Sequence, residues 1–112
     1  MKNLNIGVFE ELVLLSVAGL VDTAYAVSIQ NEIENTGGRR ASMGAVYTAL
    51  ERLEQKGHLL SDLGDVTHQR GGRRKRYYKI TESGLAAVTS MRAARENLWN
   101  RLSLGHLRNG SS

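Results

Sequence analysis

SMGAVYTALERLEQKGHL, residues 42–59, decides how this chain folds. Met43, Val46, Leu50 and Leu53 follow one another at three-, four- and three-residue spacing, which is one face of a helix. Ser42 offers an N-cap and Gly57 a left-handed stop, so the spacing predicts a helix over 42–56. Its other side carries Gly44, Ala45, Tyr47, Thr48, Glu51 and Arg52, small and polar first, charged last. The helical period breaks over 58–63, where a short strand ends at Gly64 and Asp65. A second strand over 74–80 sets Tyr78 and Ile80 on one face and Lys75, Tyr77 and Lys79 on the other. The two strands make a hairpin whose polar loop holds Gly71 and Gly72.

Outward from this core, three more helices are expected. Phe9, Leu12, Val13, Ser16, Val17 and Leu20 share one face, with Leu14, Leu15 and Ala18 as a second apolar strip. Asp22 and Thr23 then read as a stop and a new N-cap. The second helix covers 24–35, with Ala26, Ile29 and Ile33 inward and Gly37 and Gly38 at its end. Thr81 caps the last helix, over 82–104, with Glu82 in its first turn. Val88, Met91, Leu98 and Leu102 form its stripe with Leu85 and Trp99 beside it, all six assigned to the dimer contact, and Arg95 interrupts the stripe. About 20 residues of helix span roughly 30 Å. Three short helices and a hairpin cannot cover that length, so the stripe asks for a second copy of the chain. The expected fold is mostly α with a small β-hairpin: a winged helix-turn-helix over 1–81, a dimerisation helix over 82–104, and a disordered tail over 105–112.

The 112 residues fit one domain with its own core. With no cysteine, disulfides, thiolate metal sites and cysteine nucleophiles are excluded. Lys2, the apolar run 12–21 and Ala24-Tyr25-Ala26 imitate a secretory signal, but Glu10 and Glu11 reverse the charge order that a signal needs. The run is also shorter than a membrane span. A soluble, cytoplasmic protein is expected.

Charge is concentrated rather than spread. The net charge is +4, and six of the ten residues over 70–79 are basic with none acidic: Arg70, Arg73, Arg74, Lys75, Arg76 and Lys79. Lysine on an edge strand discourages aggregation, which accounts for one or two of these bases but not for six beside a diglycine. Arginine forks match phosphate oxygens, and glycine lets a loop come close to them. A basic hairpin tip after a helix-turn-helix is a wing that lies along nucleic acid. The 42–56 helix suits the major groove: Ser42, Gly44 and Ala45 allow close approach, while Tyr47, Thr48 and Arg52 reach out, with Arg39 and Arg40 just before.

Together, residues 42–59 and GGRRKRYYKITESG, residues 71–84, resemble the PadR family of winged-helix transcriptional regulators. GVFEELVLLSVAGL and AYAVSIQNEIE resemble its first two helices, so the likeness runs over 7–84. The resemblance implies a homodimer on double-stranded operator DNA, usually a repressor, often released by a small effector. It maps DNA contact onto Ser42, Gly44, Tyr47, Thr48, Arg73 and Arg74. Many members have threonine at the position of Ala45 and proline at that of Thr48, so base preference does not carry over. The single C-terminal helix resembles the family's short subgroup. There Trp99, with Arg95 one turn earlier, either packs in the dimer or shelves a small apolar or aromatic effector.

Other chemistry is thin. His58, His68 and His106 lack metal-ligand spacing and read as surface residues. Glu10 and Glu11 read as a solvated helix face, and no serine has a histidine–carboxylate pair placed to activate it. Neither enzyme activity nor a cofactor is expected. From the residues alone, an RNA-binding winged helix or a protein-interaction module stays open beside operator binding.

Overall fold

The computed structural model describes residues 6–64 and 74–102. Arg70, Arg73, Gly71, Gly72, His68, His106 and the tail 105–112 lie outside the described residues. Helices α1 (Val8–Gly19), α2 (Ala26–Asn35) and α3 (Met43–Gln55) come first, then strands β1 (Leu59–Leu63) and β2 (Arg76–Ile80), then helix α4 (Glu82–Asn100). The architecture is the expected one, a mostly helical winged helix-turn-helix followed by a long last helix.

Val13, Leu14 and Val17 of α1, Ile29 and Ile33 of α2, and Val46, Leu50 and Leu53 of α3 meet in one core, closed by Leu59, Tyr78 and Val88. Ala49 joins the α3 stripe, Met43 is only partly buried, and Leu15 of α1 faces outward. The expected second apolar strip of α1 therefore reaches the core through Leu14 alone of its two leucines.

β1 and β2 pair antiparallel with Leu59 opposite Ile80 and Leu63 opposite Arg76. Tyr78 N–H donates to the Ala24 carbonyl at 2.9 Å, tying the hairpin to the α1–α2 connection.

Helix α2 starts later than the expected Thr23 cap. Thr23 is spent on closing the preceding turn, its N–H on the Leu20 carbonyl at 2.8 Å, with Asp22 in the left-handed region at φ 64°. The cap comes instead from Ser28, whose hydroxyl accepts from Tyr25 N–H at 2.9 Å and donates to the Thr23 carbonyl at 2.7 Å. Ser42 and Thr81 cap α3 and α4 as expected, accepting from Ala45 and Gly84 N–H. Gly84 is fixed by a close approach: a Cβ there would overlap the His58 carbonyl and sit 2.8 Å from Ile80 Cγ1.

Candidate nucleic-acid interface

Helices α2 and α3 form the helix-turn-helix, and the core stripe of α3 turns its other face to solvent. Ser42, Gly44, Ala45, Tyr47 and Thr48 are all exposed on its first turns. Two side chains of α2 hold the entry to this helix. Glu34 Oε2 accepts from Ala41 N–H at 2.9 Å, and Gln30 Nε2 donates to the Ala41 carbonyl at 2.7 Å. Arg39 and Arg40 stand exposed at the same turn, the Arg39 guanidinium 5.4 Å from the Phe9 ring centroid. Glu34, Gly38, Arg39, Arg40, Ala41 and Ser42 line a cleft of about 680 Å³.

The wing sits beside this helix. Arg74, Lys75 and Arg76 are exposed. Arg76 Nη1 donates to Ser61 Oγ at 3.0 Å, and Ser61 donates to Glu54 Oε2 at 2.8 Å, so one hydroxyl joins the wing to α3. Lys75 Nζ lies 4.2 Å over the Tyr25 ring, which meets Tyr77 edge-on at 5.6 Å. The base of the wing is thus anchored to the start of α2 by an edge-to-face aromatic pair and a cation.

Two sequence expectations are corrected on α1. Glu10 and Glu11 are not on a solvated face: they are 8% and 3% exposed. Glu10 meets Lys56 Nζ at 3.0 Å and Arg52 Nη1 at 3.8 Å, at the far end of α3. Glu11 takes a two-pronged grip from Arg95 of α4, with Nη1 at 2.6 Å from Oε2 and Nη2 on Oε1. This contact holds the Arg95 pKa above its ordinary value. Adjacent carboxylates on one helix therefore brace opposite neighbours. The clue was legible for Glu10, which precedes Val13, Leu14 and Val17 at the spacing of one face.

His58 is also buried rather than on the surface. Its Nδ1 lies 2.7 Å from Ser83 Oγ, its carbonyl accepts from Thr81 N–H, and Gly57 precedes it at φ 82°. Burial, with a smaller push from the Lys56 cation, lowers its pKa below the ordinary 6.5.

The stripe of α4 divides. Ala87 and Val88 pack into the chain's own core and Met91 borders it. Val88 is 5% exposed, so it serves this core rather than a free face. Beyond Arg95, Leu98 and Trp99 are 72% and 63% exposed, and Leu102 is exposed too. They line a cleft of about 470 Å³ with Arg95 and Glu96. Leu85 is exposed near the other end. Among the described residues no group of histidines, carboxylates or cysteines could hold a metal, and no helix is long and apolar enough to cross a membrane.

The model of the transcriptional regulator PadR-like family matches residues 14–90, which hold the second half of α1, then α2, α3, both strands of the hairpin and the start of α4. The chain belongs to the PadR-like family of transcriptional regulators. The transcriptional regulator Rv3488 of Mycobacterium tuberculosis is 43% identical over 61 residues. That match spans 54% of this chain and about half, 53%, of the relative's length. A solved PadR-like transcription factor from Bacteroides fragilis superposes at a TM-score of 0.70 with 22% identity over 88% of each chain. A PadR family regulator from Eggerthella lenta superposes at 0.66 with 25% identity, over 86% of this chain and 80% of its own. The PadR-like family consists of regulators rather than enzymes, in line with a chain read as non-catalytic.

Proposed function

We propose that this PadR-like chain is a sequence-specific DNA-binding regulator, an effector-responsive repressor that occupies an inverted-repeat operator as a homodimer. One observation carries the reading. The first turns of α3 are exposed, and bases stand exposed both in the turn that precedes it, Arg39 and Arg40, and on the wing, Arg74, Lys75 and Arg76. Such a helix enters the major groove while the flanking cations take phosphates. Ser42, Gly44 and Ala45 permit the approach, and Tyr47 and Thr48 reach base edges. Arg52, drawn toward Glu10 at the far end of α3 but mostly exposed, touches the backbone. Arg70 and Arg73 extend the phosphate contacts of the wing. Family membership favours duplex DNA over RNA or protein as the polymer read.

Homodimerisation is supported by the uncovered Leu98, Trp99 and Leu102, with Met91 and Leu85 toward the domain. A helix with such a stripe is soluble when a second copy covers it. The cleft beside Trp99 supports a small apolar or aromatic effector held at the dimer seam, in the cytoplasm. Arg95 borders that cleft, and Glu11 engages two of its five N–H groups.

Binding to specific and random duplexes tests the reading. Tyr47→Ala and Thr48→Ala are expected to cost about 1–3 kcal/mol on the preferred site and little on random DNA. Arg73→Ala with Arg74→Ala weakens both alike and flattens a salt slope of about −7, set by about 8 neutralised phosphates. Equal losses on both duplexes from the α3 changes would contradict the assignment of α3 as the reader.

A further inference from the structure

We propose that Gln30 and Glu34 are positioning residues for sequence reading: they set the pose of the recognition helix without touching DNA. In addition, the Glu34 charge weakens binding to every duplex alike. The inference rests on the DNA-binding reading above.

Ala41 is buried at the last step before α3, and both of its backbone polar groups are satisfied by side chains of α2. Gln30 and Glu34 are four residues apart and so share a helix face. They grip the carbonyl and the N–H of one residue like two fingers. The next residue, Ser42, accepts from Ala45 N–H at 3.1 Å and so launches the first turn of α3. Pose therefore passes from α2 through Ala41 and Ser42 to the face that carries Gly44, Ala45, Tyr47 and Thr48.

The turn itself cannot supply this precision. Gly38 is in the left-handed region at φ 66°, and a Cβ on Gly37 would lie 2.5 Å from the Ile33 carbonyl oxygen. Two glycines are required to make the reversal, and glycine is the least self-constraining residue. The far end of α3 is held by Glu10 through Lys56 and Arg52, but the base-reading end depends on the α2 grip.

Charge adds a second, separable effect. Glu34 lines the cleft with Arg39 and Arg40, yet it accepts from a backbone N–H, and among the described residues neither arginine forms an ion pair with it. A glutamine oxygen could accept the same N–H. The negative charge is thus dispensable for the grip, and beside incoming phosphates it opposes every sequence equally.

The test uses the full chain, with the tightest duplex recovered from a random pool and a scrambled duplex of the same composition. Glu34→Ala and Gln30→Ala each lower the selected-to-scrambled affinity ratio by at least about fivefold. Glu34→Gln keeps the ratio and tightens both duplexes by about twofold at low salt. Ala41 amide exchange, read by NMR, speeds up by about tenfold in Glu34→Ala and stays slow in Glu34→Gln. Should Glu34→Ala fail to fold, Gln30→Ala and Glu34→Gln still decide the matter. An unchanged ratio in Gln30→Ala, or a collapsed ratio in Glu34→Gln, overturns the proposal while DNA reading stands. A wild-type chain that prefers no recovered duplex brings down the DNA reading itself, and this inference with it.

Discussion

The two halves of α4 carry the same stripe and meet opposite surroundings. Gly84, Ala87, Val88 and Met91 lie against the chain's own core, whereas Leu98 and Trp99, with Leu102 just past the helix end, are left in solvent. Arg95 stands at the boundary, reaching back to the buried Glu11 of α1. The difference teaches that a periodic apolar stripe reports burial without saying by what. A 19-residue helix, about 28 Å long, outruns a domain built on helices of 10–13 residues. The first half completes the monomer, and the second half is the surface on which the proposed dimer depends.

Opposite halves should answer the same insult differently, and this is the largest effect expected. Val88→Asp buries an unpaired carboxylate and destabilises the fold by about 3 kcal/mol or more. Leu98→Asp changes monomer stability by no more than about 0.5 kcal/mol, abolishes the dimer, and shifts Trp99 emission to the red. Thermal melting by circular dichroism, sedimentation velocity and fluorescence separate the two. A Leu98→Asp chain that stays dimeric would break the comparison.

The boundary gives the next effect. Arg95→Met strands the Glu11 carboxylate in a buried position, so the melting midpoint falls. Adding Glu11→Leu removes the stranded charge and recovers most of the loss. Losses that simply add in the double variant would show that the pair does not act as a unit.

The smallest effect concerns pH at the start of α4, where His58 meets Ser83. The folded pKa of His58 lies below the unfolded 6.5, so the unfolded chain takes up a proton first as pH falls. Stability contributed by neutral His58 is complete above 6.5 and is lost between 6.5 and the lower folded value. The slope is at most about 1.4 kcal/mol per pH unit. His58→Gln should flatten urea midpoints across that window relative to the wild type. Parallel pH curves for the two chains would contradict the buried, neutral histidine.

Much of this was legible in the sequence because apolar periodicity carries it: four helices, the hairpin, the caps at Ser42 and Thr81, and the solvent face of α3. Glu10, Glu11 and His58 were misread because polar residues in a core announce themselves only through partners distant in the chain. Arg95 is 84 residues from Glu11, and Ser83 is 25 from His58. Gln30 and Glu34 went unremarked for a similar reason, since their partner is backbone and leaves no residue pattern. A long last helix was legible from its period, although α4 ends at Asn100 rather than at 104. Val88 was grouped with Leu98 and Leu102 because period alone does not say where a domain ends.

Selection of duplexes from a random DNA pool tests the central claim most directly, with the mass of the purified complex measured alongside. A two-fold dimer that reads DNA through α3 should enrich an inverted repeat with half-sites about one helical turn apart. Two chains should occupy each duplex, and Leu98→Asp should lose the symmetric site. Enrichment of nothing, or of an asymmetric site held by one chain, would contradict it.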